Sequence, residues 1–202
     1  MADHPKLIRA KTLFRWVKGL ALVAFVALAG SLLQFNLYLS GDSGDDFRQP
    51  ANRSAPIFVE EKVIISAPPD TVLHILADLS SWPDWHPLVT RVRANYVLFG
   101  QGIDFAYWQG GLKYSATLHT YDGSLHIGWF TDRLGDYQIQ NWTCRPTDIG
   151  TELTVAHSRQ GIIPWLFQVS GQRRLSDRTE QVLASLQEYT QAKAIDAVPK
   201  EE

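Results

Sequence analysis

Two ionisable residues, His157 and Arg159, close the stretch Glu152–Arg159. If that stretch is a strand, its side chains alternate, and Leu153, Val155, His157 and Arg159 share one face. A histidine and an arginine then continue a face that begins apolar. Such a pair suits a polar contact to a ligand carbonyl, or an acid/base group beside a guanidinium. It equally suits a strand end where both groups pair with acids or water. The same alternation selects companions. Tyr114 falls in line with Leu112, Ala116 and Leu118, Trp129 with Leu125 and Ile127, and Asn141 with Tyr137 and Ile139. Lys113, Ser115, Thr117 and His119 take the opposite, solvated face, and His126 faces outward. Tyr114, Trp129, Asn141, His157 and Arg159 are thus the candidate ligand contacts.

Other chemistries lack their signatures. The six histidines show no metal-ligand spacing, and no Gly-rich phosphate loop, nucleophile elbow or CxxC pair is present. No residue pattern calls for a cofactor. Cys144 is the single cysteine, which excludes an intramolecular disulfide. The net charge is −2, yet residues 1–18 carry five bases (Lys6, Arg9, Lys11, Arg15, Lys18) against Asp3. The rest of the chain is therefore acidic, which argues against nucleic-acid binding. Seven Trp, seven Tyr and nine Phe supply large rings that either fill a core or line a cavity.

The elements that must position these groups can be read from local pattern. Phe58 to Ser66 mixes β-branched residues with alternating charge, as a half-buried strand does. Pro69-Asp70-Thr71 opens a helix, and Val72, Ile75, Leu76 and Leu79 give it one apolar face. Trp82-Pro83-Asp84-Trp85-His86-Pro87 stops it. Strands are expected over Thr90–Phe99, Ile103–Gln109, Leu112–Tyr121, Leu125–Thr131, Tyr137–Arg145 and Glu152–Arg159, joined by glycine-marked turns. A helix is expected from Ser176 to Ala194, with Ser170-Gly171 a candidate break before it. Between the last strand and this helix, Ile162, Ile163, Trp165, Leu166 and Phe167 form an apolar run. It is either the packed entry to that helix or a lip that gates a cavity or touches a bilayer. Periodicity alone gives an α+β domain with an antiparallel sheet.

Residues 19–41 carry no charge and are long enough to span a bilayer. Bases precede the run, and Asp42, Asp45 and Asp46 come after it. A single-pass signal-anchor is expected, with residues 1–18 cytoplasmic and the body extracytoplasmic, periplasmic if the cell is bacterial. A cleaved signal peptide, with Ala27-Leu28-Ala29 as its site, is the competing reading. Residues 42–56 read as a flexible linker, 57–194 as the folded domain and 195–202 as a disordered tail.

Ile65-Ser-Ala-Pro-Pro-Asp-Thr-Val72, Ala77-Asp78 and Trp82-Pro-Asp-Trp-His-Pro87 resemble the opening of the START-like superfamily. The likeness is to its polyketide cyclase/dehydrase and lipid-transport branch, also called SRPBCC or Bet v 1-like, and covers roughly residues 57 to 192. The resemblance implies a helix-grip fold, in which a curved antiparallel sheet wraps a long C-terminal helix around a cavity. It implies an apolar small molecule or lipid as partner, bound or shuttled by a domain tethered to the membrane through residues 19–41. Two alternatives stand beside this. One is a cyclase or dehydratase-type enzyme using His157, Arg159, Asn141 and Tyr114. The other is a non-catalytic accessory subunit docking on other membrane subunits through Ser31, Gln34 and Asn36. The missing catalytic signature leans away from an enzyme.

Overall fold

A computed structural model of the chain describes residues 16–30, 47–94 and 102–196. Residues 16–30 form a helix, α1. Seven described strands form one antiparallel sheet: β1 (Ile57–Ile65), β2 (Val89–Ala94), β3 (Ile103–Gln109), β4 (Leu112–Tyr121), β5 (His126–Arg133), β6 (Asp136–Thr147) and β7 (Gly150–Gln160). Their order is β1-β7-β6-β5-β4-β3-β2, a meander from β2 to β7 that β1 completes along the free edge of β7. Between β1 and β2 lie α2 (Pro69–Ala77), a 3₁₀ turn (Leu79–Ser81) and α3 (Trp82–Trp85). After β7 come α4 (Ile162–Leu166) and the long α5 (Gln168–Asp196).

The Trp-Pro-Asp-Trp bend is held by hydrogen bonds. Asp78 accepts from the Ser80 backbone N–H and hydroxyl, and the Trp82 indole donates to the Leu76 carbonyl at 3.0 Å. Trp82 is thereby fixed as the centre of the core, with Phe105, Tyr107 and Trp129 rings at 5.6, 6.0 and 5.1 Å. Trp129 stacks in turn on Trp142. Large rings therefore fill most of the space that the sheet encloses.

α5 closes the other side. Val182, Leu183 and Leu186 join the core, while polar side chains grip the edge strand. The Gln172 carboxamide accepts from Phe58 N–H and donates to Phe58 C=O, and Gln187 donates to Ile64 C=O. These bonds satisfy backbone groups that an open sheet edge would expose. The helix starts eight residues before the expected Ser176 and runs unbroken through Ser170-Gly171. A Cβ at Gly171 would sit 2.4 Å from Ile57 Cδ1, so this glycine sets the close approach of α5 to β1 rather than ending a helix.

Three further differences from the sequence expectation concern the faces of β6, the burial of His119 and the placement of residues 47–56. In β6, Gln138, Gln140, Trp142 and Cys144 pair with Arg159, His157, Val155 and Leu153. Directly paired residues share a face, so these four point toward α5, and Tyr137, Ile139 and Asn141 point the other way. The β6 sequence carries apolar residues at both parities, so only pairing with β7 decides. His119, expected in solvent, is buried. A bulge between Leu118 and Thr120 tucks it over Gly128, against the Phe130 ring. Finally, residues 47–56, expected as part of a flexible linker, lie across the outer face of the sheet. Arg48 N–H donates to Thr120 Oγ1, Asn141 donates to the Gln49 carbonyl, and the Tyr137 hydroxyl donates to Gln49 Oε1. Asn52 donates to Ser158 Oγ and Gln160 Oε1. This strap buries Ile139, Asn141, Ser158 and Gln160.

Several expectations reach beyond the described residues. The strand expected to Phe99 is one of these, since residues 95–99 lie outside them, as do 1–15, 42–46 and most of the tail. Among the described residues no helix is long and apolar enough to cross a membrane. α1 covers the first part of the expected span, and residues 31–41 lie outside.

Candidate functional site

Between the sheet and α5, at the end of the sheet where β7 finishes, a cavity of about 60 Å³ remains open. Its inner wall is the β6–β7 pairing. Gln140 lies opposite His157, and Gln138 opposite Arg159. Tyr107 and Tyr114 form a second wall, stacked at 5.1 Å with their planes 9° apart. α5 contributes Leu175, Arg178, Thr179 and Val182, and the bend after α3 contributes His86 and Leu88.

His157 is the chemically unusual member. The Gln140 Nε2 lies 2.9 Å from His157 Nδ1. An amide nitrogen can only donate, so Nδ1 accepts and the ring proton sits on Nε2. That buried Nε2–H has no acceptor among the described residues. Burial, reinforced by the Arg159 charge, pushes the imidazole down to about 3, so the ring is neutral at physiological pH. Trp142, on the same wall, also carries an indole N–H with no acceptor. Buried donors are nearly always paired. Two buried N–H groups without an acceptor among the described residues thus belong to the walls of this one small cavity.

Arg159 behaves differently. Its guanidinium holds Asp136 through Nε at 3.2 Å and Nη2 at 2.5 Å, and Gln138 adds a bond to the same carboxylate. The arginine charge is thus balanced within the protein and is not offered to an anionic ligand. Burial raises the Tyr107 phenol above its ordinary value, so it stays protonated as a donor. Burial also pushes His86 down to about 4 while its ring stacks on Trp82. These shifts disfavour proton transfer near neutral pH. His157 is thereby a weak base, and the Cys144 thiol, pushed up to about 12 by burial and then by the Asp122 charge, stays protonated near neutral pH.

The sequence candidates are therefore only partly brought together. Tyr114, His157 and Arg159 line the cavity. Trp129 packs inside the aromatic core instead. Asn141 lies on the outer face under the strap, against the expectation of a cavity contact. Ile162, Ile163, Trp165, Leu166 and Phe167 lie at the start of α4 and at its junction with α5, and the last four keep much of their surface exposed. Gln138, Gln140, Tyr107, His86 and Thr179 were missed. For Gln138 and Gln140 the signal is the partner strand: once His157 faces inward, the residues opposite it must do so too.

The same architecture recurs among known proteins. A family model described as polyketide cyclase / dehydrase and lipid transport matches residues 56–191. A hypothetical protein of Helicobacter pylori superposes with a TM-score of 0.63 at 15% identity, covering 75% of this chain and 99% of that one. A START superfamily protein of Mycobacterium smegmatis gives 0.53 at 14% identity, over 67% and 97% of the two chains. The di-domain ARO/CYC StfQ of the steffimycin biosynthetic pathway gives 0.56 at 14%, over 68% of this chain and 52% of its own. At such identities the likeness is one of fold. No curated protein matches the chain.

Proposed function

Because the chain belongs to the polyketide cyclase / dehydrase and lipid transport family, we propose that it binds a small apolar molecule by its oxygen-bearing end. The observation that carries this reading is the neutral, buried His157 with its Nε2–H turned to no acceptor, beside a cavity between sheet and α5. A carbonyl or hydroxyl oxygen there accepts from His157, with the Trp142 indole and Tyr107 hydroxyl on the same walls. The space of about 60 Å³ holds a polar end group but no whole lipid, since pockets that enclose drug-sized ligands measure roughly 300–1,000 Å³. Leu88, Leu175 and Val182 supply apolar contact for the remainder of the ligand.

Binding is favoured over cyclase or dehydratase chemistry because burial keeps the two cavity histidines, His157 and His86, neutral and weakly basic near neutral pH. A single-pass anchor over residues 19–41 completes the proposal, holding the domain on the extracytoplasmic side. The uncharged run after five bases supports it. Ser31, Gln34 and Asn36 in that run also leave room for a further subunit of a membrane complex as partner.

The test uses small aromatic probes with one oxygen, acetophenone and 1-naphthol, tracked through the imidazole ¹⁵N and ¹H resonances. The His157 Nε2–H signal moves downfield on binding. His157→Leu weakens both probes by about tenfold, the value of one net hydrogen bond. Equal affinity of wild type and His157→Leu overturns the assignment.

A further inference from the structure

At the same end of the sheet, two segments distant in sequence build one exposed apolar surface. The β5–β6 turn presents Leu134, 99% exposed. It is pinned beside α4, because Ile163 N–H donates to the Gly135 carbonyl at 2.9 Å. Gly161, with φ of 117°, makes that approach possible, since a Cβ there would lie 2.6 Å from Gly135 O. α4 and the start of α5 add Ile163, Trp165, Leu166, Phe167 and Val169, the last 88% exposed. Six large apolar side chains left to water at one corner mark an interaction surface.

Charge decides what covers it. Arg173 and Arg174 share a shallow depression with Trp165 to Ser170, with Asp177 as the acid beside them. Arg133 stands at the end of β5, its guanidinium 4.9 Å over the Tyr114 ring. Aromatic and aliphatic side chains flanked by arginines, on a chain that is acidic outside its first 18 residues, match the boundary of an anionic bilayer. We propose that the Leu134 turn and the α4–α5 corner form a membrane-docking face that seats on anionic lipid. Leu175 and Arg178, on the next turns of α5, line the binding cavity, so docking brings the cavity mouth to the lipid surface. This face acts independently of how the N-terminal residues reach the membrane.

A depth measurement on the full chain tests it. Environment-sensitive labels are placed at Val169→Cys and, as control, at Ile149→Cys in the β6–β7 turn. Ile149 is 71% exposed at the other end of the twelve-residue β6, and the buried Cys144 is not labelled. The two labels stand roughly 35–40 Å apart by strand rise. The protein is reconstituted in phosphatidylcholine vesicles with and without phosphatidylglycerol, each carrying brominated lipid as quencher. The label at 169 is expected to shift blue and be quenched severalfold more than the label at 149, and more so with phosphatidylglycerol. Arg173→Gln with Arg174→Gln is expected to weaken docking on the anionic vesicles by about 30-fold. Equal quenching at both positions overturns the proposal. So does a label at 169 that is already shielded without lipid, which would mark a protein contact instead.

Discussion

His157 combines two properties that seldom coexist in a residue kept only for packing: full burial and an unused donor. Its depressed pKa also has a consequence for stability. The folded ring stays neutral down to about 3, whereas in the unfolded chain it titrates near 6.5. His86 and His119, both pushed down to about 4 by burial, behave alike. Between those limits the unfolded state binds more protons, so stability is present above the unfolded pKa and is lost as pH falls below it. The melting temperature is therefore expected to drop as pH falls from about 6.5 towards 4.5, because each histidine held neutral in the fold takes up a proton only on unfolding. Calorimetry across that range checks the slope, and His157→Leu should remove its share. The same variant is not expected to gain stability at pH 7, because losing a buried unpaired donor is offset by stranding the Gln140 Nε2–H that His157 Nδ1 accepts. A second residue-level expectation concerns Gly128. A Cβ there would lie 2.6 Å from Asn141 Oδ1 and 2.8 Å from His119 Cε1. Gly128→Ala should cost about 1–3 kcal/mol by overpacking, read by chemical denaturation.

Among the elements, the strap and α5 carry the clearest consequences. Asn52→Ala removes the partner of the Gln160 carboxamide oxygen, whose amide nitrogen is already unpaired. The loss is expected at about 1–3 kcal/mol, the desolvation cost of a stranded buried group. If residues 47–56 were only a linker, the substitution would be neutral. At the α5–β1 contact, Gly171→Ala gains helix propensity but drives into Ile57. Combined with Ile57→Val it should show a coupling of about 1 kcal/mol in a double-mutant cycle. Local pattern made the element order readable: the proline-opened α2, the tryptophan bend and the glycine turns each have a mechanism within a few residues. The strap was not readable, because Gln49 and Asn52 are polar and aperiodic, and their bonds to the sheet run to residues some 90–110 positions away. The face of β6 was hidden for the same reason, its parity being fixed by β7. The inward turn of His157 and Arg159 was legible because β7 begins with an unambiguous Leu-x-Val alternation.

For the whole molecule, the aromatic filling and the small polar cavity belong together. Trp82, Trp85, Phe105, Trp129 and Trp142 occupy interior space that a larger ligand would need, and a small opening remains beside α5. The lining of that opening combines polar groups of β3, β4, β6 and β7 with the apolar Leu88, Leu175 and Val182. Native mass spectrometry of the protein, purified gently from the cells that express it, tests this most directly. The account predicts a one-to-one adduct of a small apolar molecule bearing a carbonyl or hydroxyl oxygen, depleted in His157→Leu. A protein that carries no adduct and takes up neither aromatic probe, or one that holds a whole lipid equally well without His157, would contradict it.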